Sequence, residues 1–548
     1  MESGLAPGPK LIRFTPTFIT NSLLFEVEIT AETQRSPSYL FCLISLCSLR
    51  LCGDFTATVL RQKFPRRILC DVPKLFVKRL SMDKADIPFL TVAQLSELIK
   101  NRTVSPVEAV EAYLDRIDSL NGTLYAYLTV CREEALQAAR ESEQALDRAE
   151  YRGPMHGIPV AVKDQINTAG IRTTTGTPIF KDFVPGEDAT VMANLKSAGA
   201  ILLGKLNMTE FGTTSLSHAF DTARNPWDPS RFTGGSSSGS GGATAAFMCA
   251  TSLGEDTGGS VRGPAAWCGL VGLRPTWGRV SRYGLRPGMW SMDTVGPISR
   301  TVEDCALTLQ AIAGRDPNDS YTWDVPVPDY RGALNADVRG TKIGILKELL
   351  HTDMVDPEVR DAVSRAANSL AELGAEVEEV SIPLASHSNT ISTILRVEAP
   401  TNYRDLIRNR LQEIEHDNRI AYLTWSITPA LAYYKGLKLR ALLREHVLEA
   451  LNGVDVLLMP TMGVAAPKVE PDPVIDSIEK TNRNRAGMTT TFSLASSPAV
   501  SINCGFTSEN LPIGLQIGGK PFAEQTVLNV AYAYEQNTDW HNRRPPIG

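Results

Sequence analysis

Two glycine-serine turns stand close together in the chain, Gly234-Gly-Ser236-Ser237-Ser238-Gly239-Ser-Gly-Gly242 and Gly258-Gly259-Ser260. A serine on a glycine turn exposes its hydroxyl. The consecutive N–H groups of Thr257, Gly258, Gly259 and Ser260 can converge on one point, where the oxyanion of a tetrahedral intermediate would form. A Cβ on those glycines would keep a substrate carbonyl from the donors. By itself a G-G-S turn is more often a plain helix entry. A serine nucleophile also needs a base, usually histidine. Of the seven histidines only His156, in Pro154-Met-His-Gly-Ile-Pro159, has a glycine-rich or strand-end setting, and it reads as a loop residue before a strand. Gly235-Ser236-Ser237-Ser238-Gly239 matches the G-x-S-x-G elbow, but a run built from two residue types matches it almost automatically. The preceding Asp228 to Thr233 is not the apolar strand an elbow requires. Lys163 is the alternative base. It ends the short apolar run Gly157-Ile-Pro-Val-Ala-Val-Lys163, where burial disfavours the ammonium and makes a neutral amine available. Taken alone, Lys163 is better read as a side chain that reaches solvent or pairs with Asp164.

These residues need elements to position them. Ser105-Pro-Val-Glu108 is a capping box with proline at the first helical position, followed by Val107, Val110, Leu114 and Ile117 at helical spacing. Further helices are predicted over 132–149, 188–198, 356–374, 437–452 and 522–537. Strands are predicted at 157–163, 200–204, 342–346, 375–380, 454–459, 498–503 and 513–517. Apolar strands alternating with helices predict an α/β layered fold around a mixed, largely buried sheet. A glycine-serine run is ordinarily a flexible linker. Its neighbours, Asn225-Pro-Trp-Asp-Pro229 and the second turn, instead predict backbone packed tightly around a small reactive centre.

Composition narrows the function classes. With 43% hydrophobic and 21% charged residues, the 548-residue chain is neither disordered, collagenous nor a coiled coil. A formal net charge of −6 argues against nucleic acid as a main partner. The cysteines at 42, 47, 52, 70, 131, 249, 268, 305 and 504 form no CxxC pair, and no histidine cluster accompanies them, so they read as reduced thiols of a cytoplasmic protein without a metal site. Residues 1–81 carry a charge of +5 and the remaining chain −11. Their apolar run, Tyr39 to Leu49, is shorter than the about 20 residues that cross a bilayer. The segment 1–81 is read as an extension outside the enzyme, with a true start at Met82 and the catalytic domain over 82–548. A targeting segment and a membrane-surface or partner contact are the alternatives.

Across residues 92 to 545 the chain resembles the amidase signature family. GIPVAVKD (157–164), NPWDPSRFTGGSSSGSGGA (225–243), GEDTGGSVRGPAAWCGLVGLRPTWGRVSRYG (254–284) and GPISRTVEDCA (296–306) carry the resemblance, with PIGLQIGGKPF (512–522) further on. The resemblance implies a single α/β/α domain and a Ser, cis-Ser, Lys triad without cofactor or metal. The nucleophile falls on Ser260, the cis-serine on Ser236 and the lysine on Lys163; the oxyanion donors fall on Thr257, Gly258, Gly259 and Ser260. Two positions depart from the family pattern: Ser238-Gly239 replaces the usual second glycine pair, and Glu255 replaces a common threonine. The expected activity is hydrolysis of aryl or alkyl amides, with carbamates also open, on a small-molecule substrate and with neither nucleic acid nor membrane as partner. Met208, Phe211, Met289, Trp290 and Met292 are candidates for an apolar substrate pocket. One alternative is an amidotransferase A-type subunit, which Arg279-Val-Ser-Arg-Tyr-Gly284 also resembles and which requires further subunits. A silent binding member is the other.

Overall fold

The Ser105 hydroxyl accepts from the Glu108 N–H at 3.0 Å, and the Glu108 carboxylate accepts from the Ser105 N–H at 2.8 Å, so helix α1, Pro106–Leu124, begins with the expected capping box. The structure is a computed structural model that describes residues 14–19, 22–27, 82–213, 219–469 and 488–547. The chain divides into two units, Met1–Lys78 and Arg79–Gly548. In the first, Phe14–Ile19 and Ser22–Val27 form an antiparallel hairpin. The apolar run 39–49 and the cysteines at 42, 47, 52 and 70 lie outside the described residues.

The second unit is built on an 11-stranded mixed sheet. In chain order its strands are β1 Tyr127–Val130, β2 Pro159–Lys163, β3 Ile201–Leu206, β4 Thr251–Glu255, β5 Val271–Arg274, β6 Val295–Ser299, β7 Lys342–Leu346, β8 Glu376–Val380, β9 Val456–Pro460, β10 Ala499–Phe506 and β11 Pro512–Gly519. Their spatial order is β8-β7-β9-β11-β10-β5-β6-β4-β2-β3-β1. Every residue of β2, β4, β5, β6, β9 and β11 is buried. Helices cover both faces of these strands, which explains their near-continuous apolar runs. At one edge β8 exposes Glu376, Glu378 and Glu379, a charged border that discourages further strand pairing.

The helices that matter for the argument below are α1, α2 Arg132–Asp147, α3 Thr190–Ser197, α4 Ser238–Ala245, α5 Arg262–Cys268, α6 Pro357–Glu372, α7 His416–Ser426, α8 Ala430–Gly453 and α9 Glu524–Gln536. The predicted spans fall on these elements, except that α8 begins seven residues before its apolar pattern does. The short helices from Ser388 to α7 had no sequence prediction. Ser388–Leu395 packs into the main core through Ile391 and Leu395, and those from Glu398 on are held by a separate aromatic cluster of Phe211, Tyr403, Tyr422 and Trp425, not by a long apolar stripe of their own. Among the described residues no helix is long and apolar enough to cross a membrane. The five described cysteines are buried and unpaired.

Register places the chemistry. Strands β2 and β4 run parallel, with Val160 beside Thr251 and Val162 beside Leu253, so Lys163 and Glu255 emerge from the same end of the sheet. Strand β6 runs antiparallel to β4, with Val295 opposite Glu255, which delivers the preceding Asp293 to that end as well.

Candidate active site

The glycine-serine run is not a linker. From Ser238 it forms α4, whose eight residues are all buried. A Cβ on Gly239 would lie 2.3 Å from the Ala126 carbonyl oxygen and 2.4 Å from the Asn207 nitrogen. The low complexity is therefore a packing requirement: only residues without bulk let α4 lie against backbone. Ser238, the departure noted above, is buried, and its hydroxyl has no hydrogen-bond partner among the described residues. Just before α4, the Gly235-Ser236 peptide bond is cis.

Ser236 and Lys163 meet here. Lys163 Nζ lies 2.6 Å from Ser236 Oγ, 3.1 Å from Glu255 Oε2 and 3.4 Å from the Glu255 carbonyl oxygen. The lysine is fully buried and Ser236 is 2% exposed. Lys163 thus neither reaches solvent nor pairs with Asp164, which accepts from the Thr174 N–H and faces Lys205 at 3.8 Å. Burial pushes the Lys163 ammonium below the ordinary lysine value, with the Glu255 charge opposing it. The three contacts suit a neutral amine: its lone pair accepts the Ser236 O–H while its two N–H groups donate to the two Glu255 oxygens.

Ser260 joins them through backbone. The Ser237 N–H donates to the Ser260 carbonyl at 3.3 Å, tying the two glycine-serine turns together. Ser260 is partly exposed while Ser236 is buried. The four expected oxyanion donors do not stay together. The Gly259 N–H donates to Asp256 Oδ1 at 2.7 Å and is not free to face a substrate oxygen. The N–H groups of Thr257, Gly258 and Ser260 donate to no acceptor among the described residues. Gly259 has φ +129°, and a Cβ there would lie 2.1 Å from Thr489 Oγ1, so glycine is required twice over.

A buried ionic knot, which the sequence reading missed, holds this turn. Arg262, on α5, gives Nη2 to Asp256 Oδ1 at 2.9 Å and Nε to Oδ2 at 3.0 Å, while Arg274 reaches Oδ1 at 3.2 Å. Arg262 also donates to the Thr489 carbonyl, Gln516 Oε1 and Ser493 Oγ. Burial works against ionisation of Asp256. The Arg262 and Arg274 charges outweigh it and hold the carboxyl well below the usual range. The available signal was an Asp and an Arg six residues apart across the G-G-S turn.

The apolar candidates do not form one pocket. Met289 and Met292 belong to the main core. Trp290 is 48% exposed and packs against Trp277 and Tyr321 at the surface. Met208 is buried beside Gly176. Phe211 leads toward the site, because a Cβ on its neighbour Gly212 would lie 3.5 Å from Ser236 Oγ and 3.5 Å from Gln165 Oε1. Its ring packs on Tyr403 at 4.7 Å, a residue that arrives from the short helices nearly 200 positions later. Gln165, Tyr403 and the contact between Glu255 and Lys163 were not foreseen. No local pattern announces them.

Residues 108–528 match the family described as Amidase. The A component of the glutamyl-tRNA(Gln) amidotransferase of Moorella thermoacetica, by name one subunit of that enzyme, is 42% identical over 492 residues, covering 84% of this chain and 99% of that protein. Among solved structures, a chain from a vestigial protein complex, described as revealing the evolutionary origins of an s-triazine catabolic enzyme, has TM-score 0.76 at 30% identity, with 82% of this chain and 98% of that one covered. The native peptide amidase of Stenotrophomonas maltophilia has TM-score 0.72 at 31% identity, with 84% and 99% covered. The first of these relatives belongs to a multi-chain enzyme and the second comes from a complex. The expectation of a small molecule as the only partner class is therefore corrected: charge and composition carry no signature of a protein interface, and only the alternative drawn from Arg279-Val-Ser-Arg-Tyr-Gly284 called for further subunits.

Proposed function

Because the chain belongs to the amidase family, we propose that it hydrolyses amide C–N bonds through an acyl-enzyme on Ser260. The buried 2.6 Å contact between Lys163 and Ser236 carries this reading. Neutral Lys163 takes a proton from Ser236, and Ser236 takes one from Ser260. The Ser260 oxygen then attacks the carbonyl while the free N–H groups of Thr257, Gly258 and Ser260 receive the oxyanion. Ser236 returns a proton to the leaving nitrogen, which otherwise departs poorly as an anion. Water reverses the path and releases the acid.

For the amide itself, the near full-length likeness to the amidotransferase component favours glutamine as nitrogen donor and a protein partner that receives the ammonia. The aromatic cluster beside Gly212 favours a second reading, an amidase acting on apolar amides, anilides or carbamates. Specificity constants over glutamine, peptide amides, anilides and carbamates, measured with the chain alone and with copurifying partners, separate the two. A preference for glutamine that strengthens with partners is the expected result. Faster cleavage of hydrophobic anilides by the chain alone would sink the first reading.

Residues 82–548 are proposed as the catalytic unit, in keeping with a family match that begins at residue 108. A chain beginning at Met82 is expected to be folded and active. Insolubility or loss of activity, with the full chain active, would place residues 1–81 in the enzyme. The five described thiols, buried and unpaired, are in keeping with the expected cytoplasmic compartment.

A further inference from the structure

Behind Lys163 the hydrogen-bond count does not close with every carboxyl ionised. Thr257 Oγ1 lies 2.8 Å from Glu255 Oε1 and 2.8 Å from Asp293 Oδ1. A hydroxyl has one proton to donate. The second contact is a hydrogen bond only if one carboxyl is itself protonated and donates to Oγ1. Asp293 also accepts from the Met289 N–H at 2.8 Å and the Gly288 N–H at 2.7 Å, while Glu255 Oε2 faces Lys163. Glu255 and Asp293 are both buried, and two carboxylates linked through one oxygen in such a place resist joint ionisation.

We propose that Glu255, Thr257 and Asp293 form a proton-holding cluster in which Glu255 is a positioning residue for Lys163, and that the carboxyl pair, sharing one proton, sets the pH at which Lys163 becomes a base. The proposal rests on the reading of Lys163 as base and Ser260 as nucleophile. Every contact is satisfied in one arrangement. Asp293 donates to Thr257, Thr257 donates to Glu255 Oε1, and Glu255 accepts from a neutral Lys163 that holds the Ser236 O–H. As pH rises the ammonium's Nζ–H bond breaks and its proton leaves to solvent, while the carboxyl pair keeps its single proton, so the amine appears beside one carboxylate and one carboxylic acid. Burial first, and the Glu255 charge second, push Asp293 up to about 7, in agreement with it as the proton's seat.

The other groups facing the cluster do not take that proton. Asp256 is committed to Arg262 and Arg274, and Arg274 acts on Glu255 from β5. From the helical layer, Tyr403 faces the pair and Tyr422 faces Asp293, and burial raises both phenols far above neutrality.

The substrate need not be known to test this. A fluorophosphonate reports the reactivity of Ser260 through its labelling rate, followed against pH for the full chain and for Glu255→Gln. Without the Glu255 charge the Lys163 ammonium loses its partner. The acidic limb is then expected to move down by about one pH unit, a tenfold faster labelling at a fixed pH on the limb relative to each plateau, while the plateau itself falls because the amine is less well aimed. A folded Glu255→Gln protein whose limb stays in place, or moves to higher pH, overturns the proposal. Infrared difference spectra near pH 6 give a second reading independent of that variant. A carboxylic-acid C=O band present in the wild type and absent from Asp293→Asn is expected; no difference between them refutes the shared proton. If wild-type Ser260 takes no label, the hydrolase reading falls instead, and the infrared comparison still decides the cluster.

Discussion

Ser260→Ala and Lys163→Ala are each expected to lower turnover by about 10⁴-fold or more while leaving the circular dichroism spectrum unchanged. In the proposed mechanism both residues are links in a single proton path, so losing either is nearly equivalent to losing the whole, and Ser236→Ala is expected to be almost as severe. The lysine is the more demanding test. Its side chain lies wholly inside the protein against Ser236 and Glu255, and alanine there removes the base without disturbing the strand that carries it. Because burial lowers the Lys163 ammonium below the ordinary lysine value, the amine form grows as pH rises, and wild-type activity rises with it toward alkaline pH. Near wild-type rates in Lys163→Ala, with a normal fold, would show that the base lies elsewhere.

Asp256→Asn is expected to cost about 3–5 kcal/mol of stability, the usual consequence of leaving buried cations without their counter-charge. Arg262 and Arg274 both lie wholly inside the protein and share this carboxylate. A total stability of about 5–15 kcal/mol leaves little after such a loss. Asparagine keeps the size but provides one acceptor where Asp256 now receives the Gly259 and Val261 N–H groups as well as two guanidiniums. The turn that presents Ser260 is then expected to loosen together with the fold. The wild-type carboxyl is held below its ordinary value, so its stabilisation is complete above the usual carboxylate range and is lost only as pH falls toward the depressed one. Thermal melting at neutral pH checks the size. A melting temperature within about 2 °C of wild type would mean that the knot contributes little.

Agreement with the sequence reading and departure from it share a cause. Gly234 to Gly242 has the composition of a linker but packs tightly, as its flanking motifs predict, and the approach of Ala126 and Asn207 to Gly239 is why bulk is excluded there. Met289 and Met292 have the composition of a pocket, yet they fill the main core. Composition reports what a side chain is able to do; neighbours decide which of those things it does. The Gly259 N–H illustrates this on a scale of three residues, since the donor suited to an oxyanion is already given to Asp256.

What the sequence by itself determined is the short-range and the repeated: the capping box at Ser105 and Glu108, the buried strands ending near Lys163, the helices between them, and the ordered motifs that single out Lys163, Ser236 and Ser260. Those signals lie within one turn or one strand, where chain geometry alone relates residue to residue. The tertiary structure decided everything that crosses strands. Glu255 lies 92 positions from Lys163 in sequence and 3.1 Å from it in space, because β2 and β4 pair in one parallel register, and no local pattern encodes that register. The same pairing rules bring Asp293 to Thr257 along an antiparallel neighbour, and the helical layer brings Tyr403 to Phe211. The candidate catalytic residues were therefore legible in advance, whereas the charges that face Lys163 became visible only once the sheet was assembled.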